Sequence, residues 1–183
     1  MKRKSMTHMG LVLLCLMLSQ DLLSQRTNYA MGLVPNYKTD GYGVTLGFNY
    51  TRSATDYLQA SLVAAFSKEQ PNSGVEFPYE DYVFNLGYFT TVLSVPRKGI
   101  FFYFGGGPSV GYKNINKGSV EFPFDALHAE SGFIYGGYAS FEMDFFLSDA
   151  FSLIVSTTGY YHFNSDLNDS MLLLGVGLRY YFK

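Results

Sequence analysis

Apolar and polar side chains alternate with a period of two over most of the chain, and the clearest stretch sets Tyr42, Val44, Leu46, Phe48 and Tyr50 against Gly43, Thr45, Gly47, Asn49 and Thr51. A strand turns successive side chains to opposite faces, so this pattern predicts a strand with one apolar face and one polar or small face. The same alternation returns at Leu58, Ala60, Leu62, Ala64 and Phe66, then at Tyr82, Phe84, Leu86 and Tyr88. Further on, Phe133, Tyr135, Gly137, Ala139, Phe141, Met143 and Phe145 oppose a face that carries Glu142 and Asp144. Segments at 102–112 and 151–163 and a weaker one at 29–34 add three more. The last runs from Leu172 to Phe182, with Leu174, Val176, Leu178 and Tyr180 on one face and Arg179 on the other.

Eight strands, mostly of ten to thirteen residues, are predicted. At ~3.3 Å per residue and a tilt of ~40° such strands cross the ~25 Å apolar band of an outer membrane, whereas strands of soluble sandwiches are usually nearer five or six residues. Connections are expected to alternate, short at 52–56, 95–99 and 148–150, longer at 35–41, 68–79, 114–132 and 164–170. Lipid cannot hydrogen-bond an open sheet edge, so spanning strands must close on themselves. The predicted fold is all-β: an eight-stranded antiparallel up-and-down transmembrane barrel. Its apolar face meets outer-membrane lipid, and Thr45, Asn49, Gln59, Asn85, Glu142, Asp144, His162 and Arg179 face inward.

The N-terminus reads as an address. Lys2, Arg3 and Lys4 precede an apolar run of nine residues at 10–18, too short for a spanning helix of roughly 20, and Ser19, Gln20 and Asp21 follow. Residues 1–24 are expected to be a cleaved signal peptide and 25–183 the barrel. Cys15, the one cysteine, falls in the leader behind Leu14, which is too large for a lipoprotein cleavage site. The mature chain then lacks disulfides, thiolate metal sites and a cysteine nucleophile. Removing the leader takes the net charge from -2 to -4, because its three cations and one anion leave together. No basic surplus remains to neutralise phosphates, so direct nucleic-acid binding is not expected.

At the C-terminus, Gly177, Tyr180 and Phe182 resemble the signal read by the barrel assembly machinery during insertion. Lys183 departs from it, since that signal usually ends on the aromatic residue. Within the predicted lumen, Glu142 and Asp144 lie two apart on one face, and they could bind a cation or share a proton. The plainer reading is a structural ion-pair network with Arg179 and Lys113. The run Gly105, Gly106, Gly107, Pro108 lacks the lysine and the helix of a phosphate loop, and reads as a bend or thin patch in a strand. The loop at 114–132 carries Glu121, Phe122, Phe124 and Asp125, an acidic and aromatic mixture suited to a protein contact, with a merely solvated loop as the alternative. Its Val-Glu-Phe-Pro-Phe at 120–124 echoes Val-Glu-Phe-Pro-Tyr at 75–79. A serine hydrolase acting on lipid would need Ser156 or Ser165 beside His162. His128 reads as an ordinary loop residue, and no cofactor or metal is expected.

Gly-Tyr-Lys-Asn-Ile-Asn-Lys-Gly at 111–118, Gly-Phe-Ile-Tyr-Gly at 132–136, Phe-Leu-Ser-Asp at 146–149 and Gly-Val-Gly-Leu-Arg at 175–179 together resemble the TraO family of conjugative transposon proteins from Bacteroidetes. The resemblance covers the chain from Gly105 onward. It implies a non-catalytic role in the mating apparatus at the outer membrane, beside other conjugative transfer proteins. An eight-stranded barrel is just wide enough to be filled by its own side chains, so the expected part is to scaffold or stabilise the transfer channel. A general OmpX-like barrel for adhesion or envelope stability is the alternative.

Overall fold

The computed structural model describes residues 28–53, 55–69, 77–115, 131–165 and 169–182. These form eight strands: β1 Tyr29–Lys38, β2 Gly41–Thr51, β3 Asp56–Glu69, β4 Phe77–Val95, β5 Ile100–Ile115, β6 Gly132–Phe146, β7 Phe151–His162 and β8 Ser170–Tyr181. Each pairs antiparallel with the next, and β8 returns to β1 to close the barrel. The predicted leader, the acidic-aromatic loop with Glu121, Phe122, Phe124 and Asp125, and His128 lie outside the described residues.

The period-two pattern decides which side chains meet the lumen. Burial in β1 and β8 alternates at every position, exposed then buried. The eight expected inward residues are all turned from the outer surface, and the alternating apolar sets face out. Rings concentrate at two levels of that outer surface. Towards the loops, Tyr42 touches Phe66, Phe66 touches Tyr82, Tyr112 touches Phe133, and Phe163 touches both Tyr135 and Tyr161. Towards the termini, Tyr29 touches Phe48 and Tyr50, while Tyr180 touches Phe151 and Phe182. Tyr42 and Tyr50 stand eight residues apart on β2. That is ~26 Å along the strand and ~20 Å along the axis at a tilt of ~40°, the scale of an apolar band between aromatic girdles.

Three features depart from the sequence reading. The 35–41 loop does not exist: β1 runs through Pro35 to Lys38, and Tyr37 and Lys38 pair with Tyr42 and Gly41 across a two-residue turn. The β1–β8 ladder has a gap at Pro35, from Leu33↔Leu178 to Asn36↔Gly175, and keeps the same register on both sides of it, so the missing N–H removes a local link without ending the strand. Second, β4 has 19 residues and β5 has 16, longer than predicted. Their register slips between Thr91 and Leu93, a bulge that places Val92 opposite no residue. Third, the lumen is not simply polar, as it holds an aromatic column described below.

Candidate functional site

The chemistry of the described chain is concentrated in the lumen, which is filled in three layers. In the layer nearest the termini, Arg179 from β8 reaches across to Glu142 and Asp144 from β6. Its Nη2 donates to Glu142 Oε2 at 2.6 Å and its Nη1 to Asp144 Oδ2 at 2.7 Å. The hydroxyl of Tyr57 and the amide of Gln59 also donate to Glu142, at 2.7 and 3.3 Å. Tyr181 donates its hydroxyl to Asp144 at 2.9 Å. With its amide oxygen turned to the guanidinium, Asn49 accepts from Arg179 Nε and Nη2 at 2.9 and 3.1 Å, and the guanidinium carbon lies 5.2 Å from the Tyr57 ring centre. Asp144 is fully buried and Arg179 is 3% exposed. A planar fork that serves two carboxylates and an amide at once suits such a site better than an ammonium would.

The middle layer is uncharged. Asn85 donates to Ser61 and to the Tyr160 hydroxyl, each at 3.1 Å. A cavity of about 30 Å³ separates this layer from Arg179, lined by Thr45, Ser140, Ser156 and Thr158 among others. Its lining is mixed, with Val34 and Ile154 beside the polar groups, and it has room for about two waters.

The layer towards the loops holds a second set of ion pairs. Lys38 donates to Ser67 and to the Tyr79 hydroxyl, both at 2.7 Å, and stands 3.4 Å from Asp40 and 3.7 Å from Asp81. Lys113 lies 3.8 Å from the other Asp81 oxygen and donates to Ser165 at 2.8 Å. The Tyr79 hydroxyl donates to Asp40. Lys113 therefore belongs to this second cluster, at the far end of the lumen from Arg179. Alternation gave the inward phase of both cations but not the layer each occupies, which depends on inter-strand register.

An aromatic column joins the layers, unforeseen from the sequence. Tyr103 meets Tyr57 edge-on at 5.0 Å, Tyr57 stacks on Phe89 at 4.8 Å, and Phe89 leans on Tyr138 at 6.5 Å. Tyr138 then stacks on Tyr160 at 5.6 Å, and Tyr160 on His162 at 5.9 Å. The sequence signal was tyrosine on both faces of the alternation, here at Tyr57, Tyr138 and Tyr160. Glycines make room: a Cβ at Gly87 would lie 2.1 Å from the Tyr138 oxygen, and one at Gly105 2.5 Å from the Phe89 ring. The run from Gly105 is thus a close-approach patch of β5.

The pieces of a serine hydrolase are not assembled on β7. Ser156 lines the cavity near Arg179, and His162 is six residues further along the same strand, ~20 Å away. Ser165 is engaged by Lys113. Among the described residues no group of three or more His, Cys, Asp or Glu is placed to hold a metal ion. Of the tail residues, Gly177 lies where a Cβ would meet the Leu33 carbonyl at 2.2 Å, on the closing β1–β8 seam, while Tyr180 and Phe182 face outward in the terminal girdle.

Comparison with known proteins places this geometry. The family described as conjugative transposon protein TraO matches residues 22–182. No curated protein matches the sequence. Among solved structures, the outer membrane protein OprG from Pseudomonas aeruginosa is similar at a TM-score of 0.61 and 10% identity, over 86% of this chain and 97% of that one. Neisserial surface protein A gives 0.58 and 10%, over 84% and 94%. Ail, the attachment invasion locus protein of Yersinia pestis, gives 0.52 and 15%, over 84% and 93%. At these identities the likeness is one of fold: a closed eight-stranded barrel of the outer-membrane type.

Proposed function

Because the chain belongs to the TraO family of conjugative transposon proteins, we propose that it is a non-catalytic outer-membrane component of a conjugative transfer apparatus, which scaffolds or stabilises the transfer channel. The observation that carries this reading is a lipid-suited barrel whose lumen is packed with its own side chains. Aromatic girdles bound an apolar band on the outside, and two buried ion-pair clusters with an aromatic column fill the inside. A barrel of eight strands filled in this way leaves no passage for DNA or an escort protein. Its contribution to transfer is then mechanical: a rigid anchor in the membrane that presents its ends to neighbours.

In this reading the leader at 1–24 delivers the chain to the periplasm. Gly177, Tyr180 and Phe182 are read by the barrel assembly machinery, the termini lie on the periplasmic side, and the loops face outward. The loop containing Glu121, Phe122, Phe124 and Asp125 is a contact for neighbours outside the cell.

The test is mating frequency from a donor whose element carries an in-frame deletion of this gene, with a complemented control. A large drop restored by complementation is expected. Unchanged transfer, with the wild-type protein confirmed as expressed, would overturn the reading and favour an OmpX-like role in adhesion or envelope stability.

A further inference from the structure

The β4–β5 hairpin is built differently from the other connections at the terminal end of the barrel. The β3–β4 register stops at Asp56↔Thr90, and the last link between them is Thr91, whose N–H and hydroxyl both donate to the Thr55 carbonyl, at 2.7 and 2.8 Å. β4 nevertheless continues to Val95. On its other side Leu93, Ser94 and Val95 stay paired with Phe102, Phe101 and Ile100. Among the described residues, nothing pairs with 92–95 on the side where β3 has ended. Phe101 packs against Tyr103 and Phe146 and so anchors the hairpin that carries this short edge to the lumen core.

An unpaired edge cannot lie in hydrocarbon, since each unsatisfied backbone group there costs several kcal/mol. These residues therefore stand in the polar region beyond the apolar band, yet their side chains are apolar and open: Val92 is 54% exposed, Leu93 57% and Val95 37%. Natural edges are usually blunted by charge, proline or a bulge. This one has a bulge at Val92 but no charge between Val92 and Val95. The charges flank it instead, and three of the four are basic. Arg97 and Lys98 are exposed on the 3-10 turn Pro96–Lys98, and Arg52 is exposed in the turn beside Thr55. The acid at this corner, Asp56, already accepts from Thr90 at 2.8 Å and Ser53 at 3.0 Å.

We propose that the free edge of β4 at 92–95 is a strand-addition site, which takes an extended segment of a partner protein that carries apolar side chains at alternate positions and acidic residues opposite Arg97, Lys98 and Arg52. Backbone pairing supplies the affinity, and the apolar and basic neighbours supply the selection. This inference rests on the scaffold reading, and it names the surface through which the barrel holds a neighbour on the side of its termini.

The test uses the full-length protein in donor cells that carry the complete element. A photo-crosslinking amino acid is placed at Val92 or Val95, and at Ser148 in another turn of the same end as a control. A protein adduct is expected from the two edge positions, absent from Ser148 and absent when the other transfer genes are deleted. Arg97→Glu with Lys98→Glu is expected to remove the adduct. Leu93→Lys with Val95→Lys is expected to lower mating frequency by about tenfold or more, with the barrel still showing its heat-dependent gel mobility. The exposed charge reversals do not touch the barrel core, so they report even if the lysine pair fails to insert. Adducts only with phospholipid, an adduct only with a second copy of this chain, or wild-type crosslinking and transfer in inserted variants would each overturn the proposal. If gene deletion abolishes transfer while the inserted edge variants transfer normally, the strand-addition site fails and the scaffold reading stands.

Discussion

Arg179 and Lys38 are both buried cations, but the barrel depends on them differently. Arg179 is the one cation among the described residues in contact with Glu142 and Asp144. Removing it strands two carboxylates in a site of low polarity, and breaking a buried pair from one side typically costs about 3–5 kcal/mol. Arg179→Ala is therefore expected to lower the urea midpoint of the folded band in lipid vesicles strongly. Arg179→Lys should recover only part, because one ammonium cannot span both acids and Asn49. Lys38→Met should cost less than Arg179→Ala, since Asp81 keeps Lys113 at 3.8 Å and Asp40 is partly exposed. Equal midpoints for Arg179→Ala and wild type would show that water satisfies the two acids, and that the cluster does not hold the barrel.

At the scale of the strand, the narrow points are where aromatic side chains cross the lumen. Gly105 on β5 sits under the Phe89 ring, and a Cβ there would also lie 2.4 Å from the Tyr88 carbonyl. Because backbone cannot yield as a flexible side chain can, Gly105→Val is expected to cut sharply the yield of folded barrel, read as the heat-dependent band on a gel. By contrast Gly159, with nothing near its Cβ, should accept alanine at little cost. Equal yields would mean that β4 and β5 part easily at this point. The strand phases were legible because alternation records which face is wet by lipid, and Glu142, Asp144 and Arg179 could be placed inward from that alone. The layer of Lys113, the column from Tyr103 to His162 and the slip at Val92 were not legible, as each depends on how one strand is staggered against another. Pro35 reads as a strand end for a related reason: the loss of one link on the β1–β8 seam is tolerated because the pairing resumes in the same register at Asn36, which only the partner strand reveals.

For the whole molecule, the scaffold reading requires a barrel that does not conduct freely, and the structure distributes that closure. The Arg179 cluster closes the terminal end, Asn85 with Tyr138 and Tyr160 fills the middle, and Lys38, Asp81, Lys113 and Tyr79 fill the end towards the loops. A single gate would open when its ion pair is removed, whereas stacked layers should not. Purified wild-type protein in planar bilayers is therefore expected to show no nanosiemens-scale conductance. The triple change Arg179→Ala, Glu142→Ala and Asp144→Ala, which leaves no unpaired charge behind, is expected to remain below that level too, because two layers persist. Large steady conductance from the wild type would overturn the scaffold role. Conductance gained only by the triple variant would leave wild-type closure intact but reduce it to one plug, and would make the Arg179 cluster a gate whose displacement by a neighbour could open the barrel.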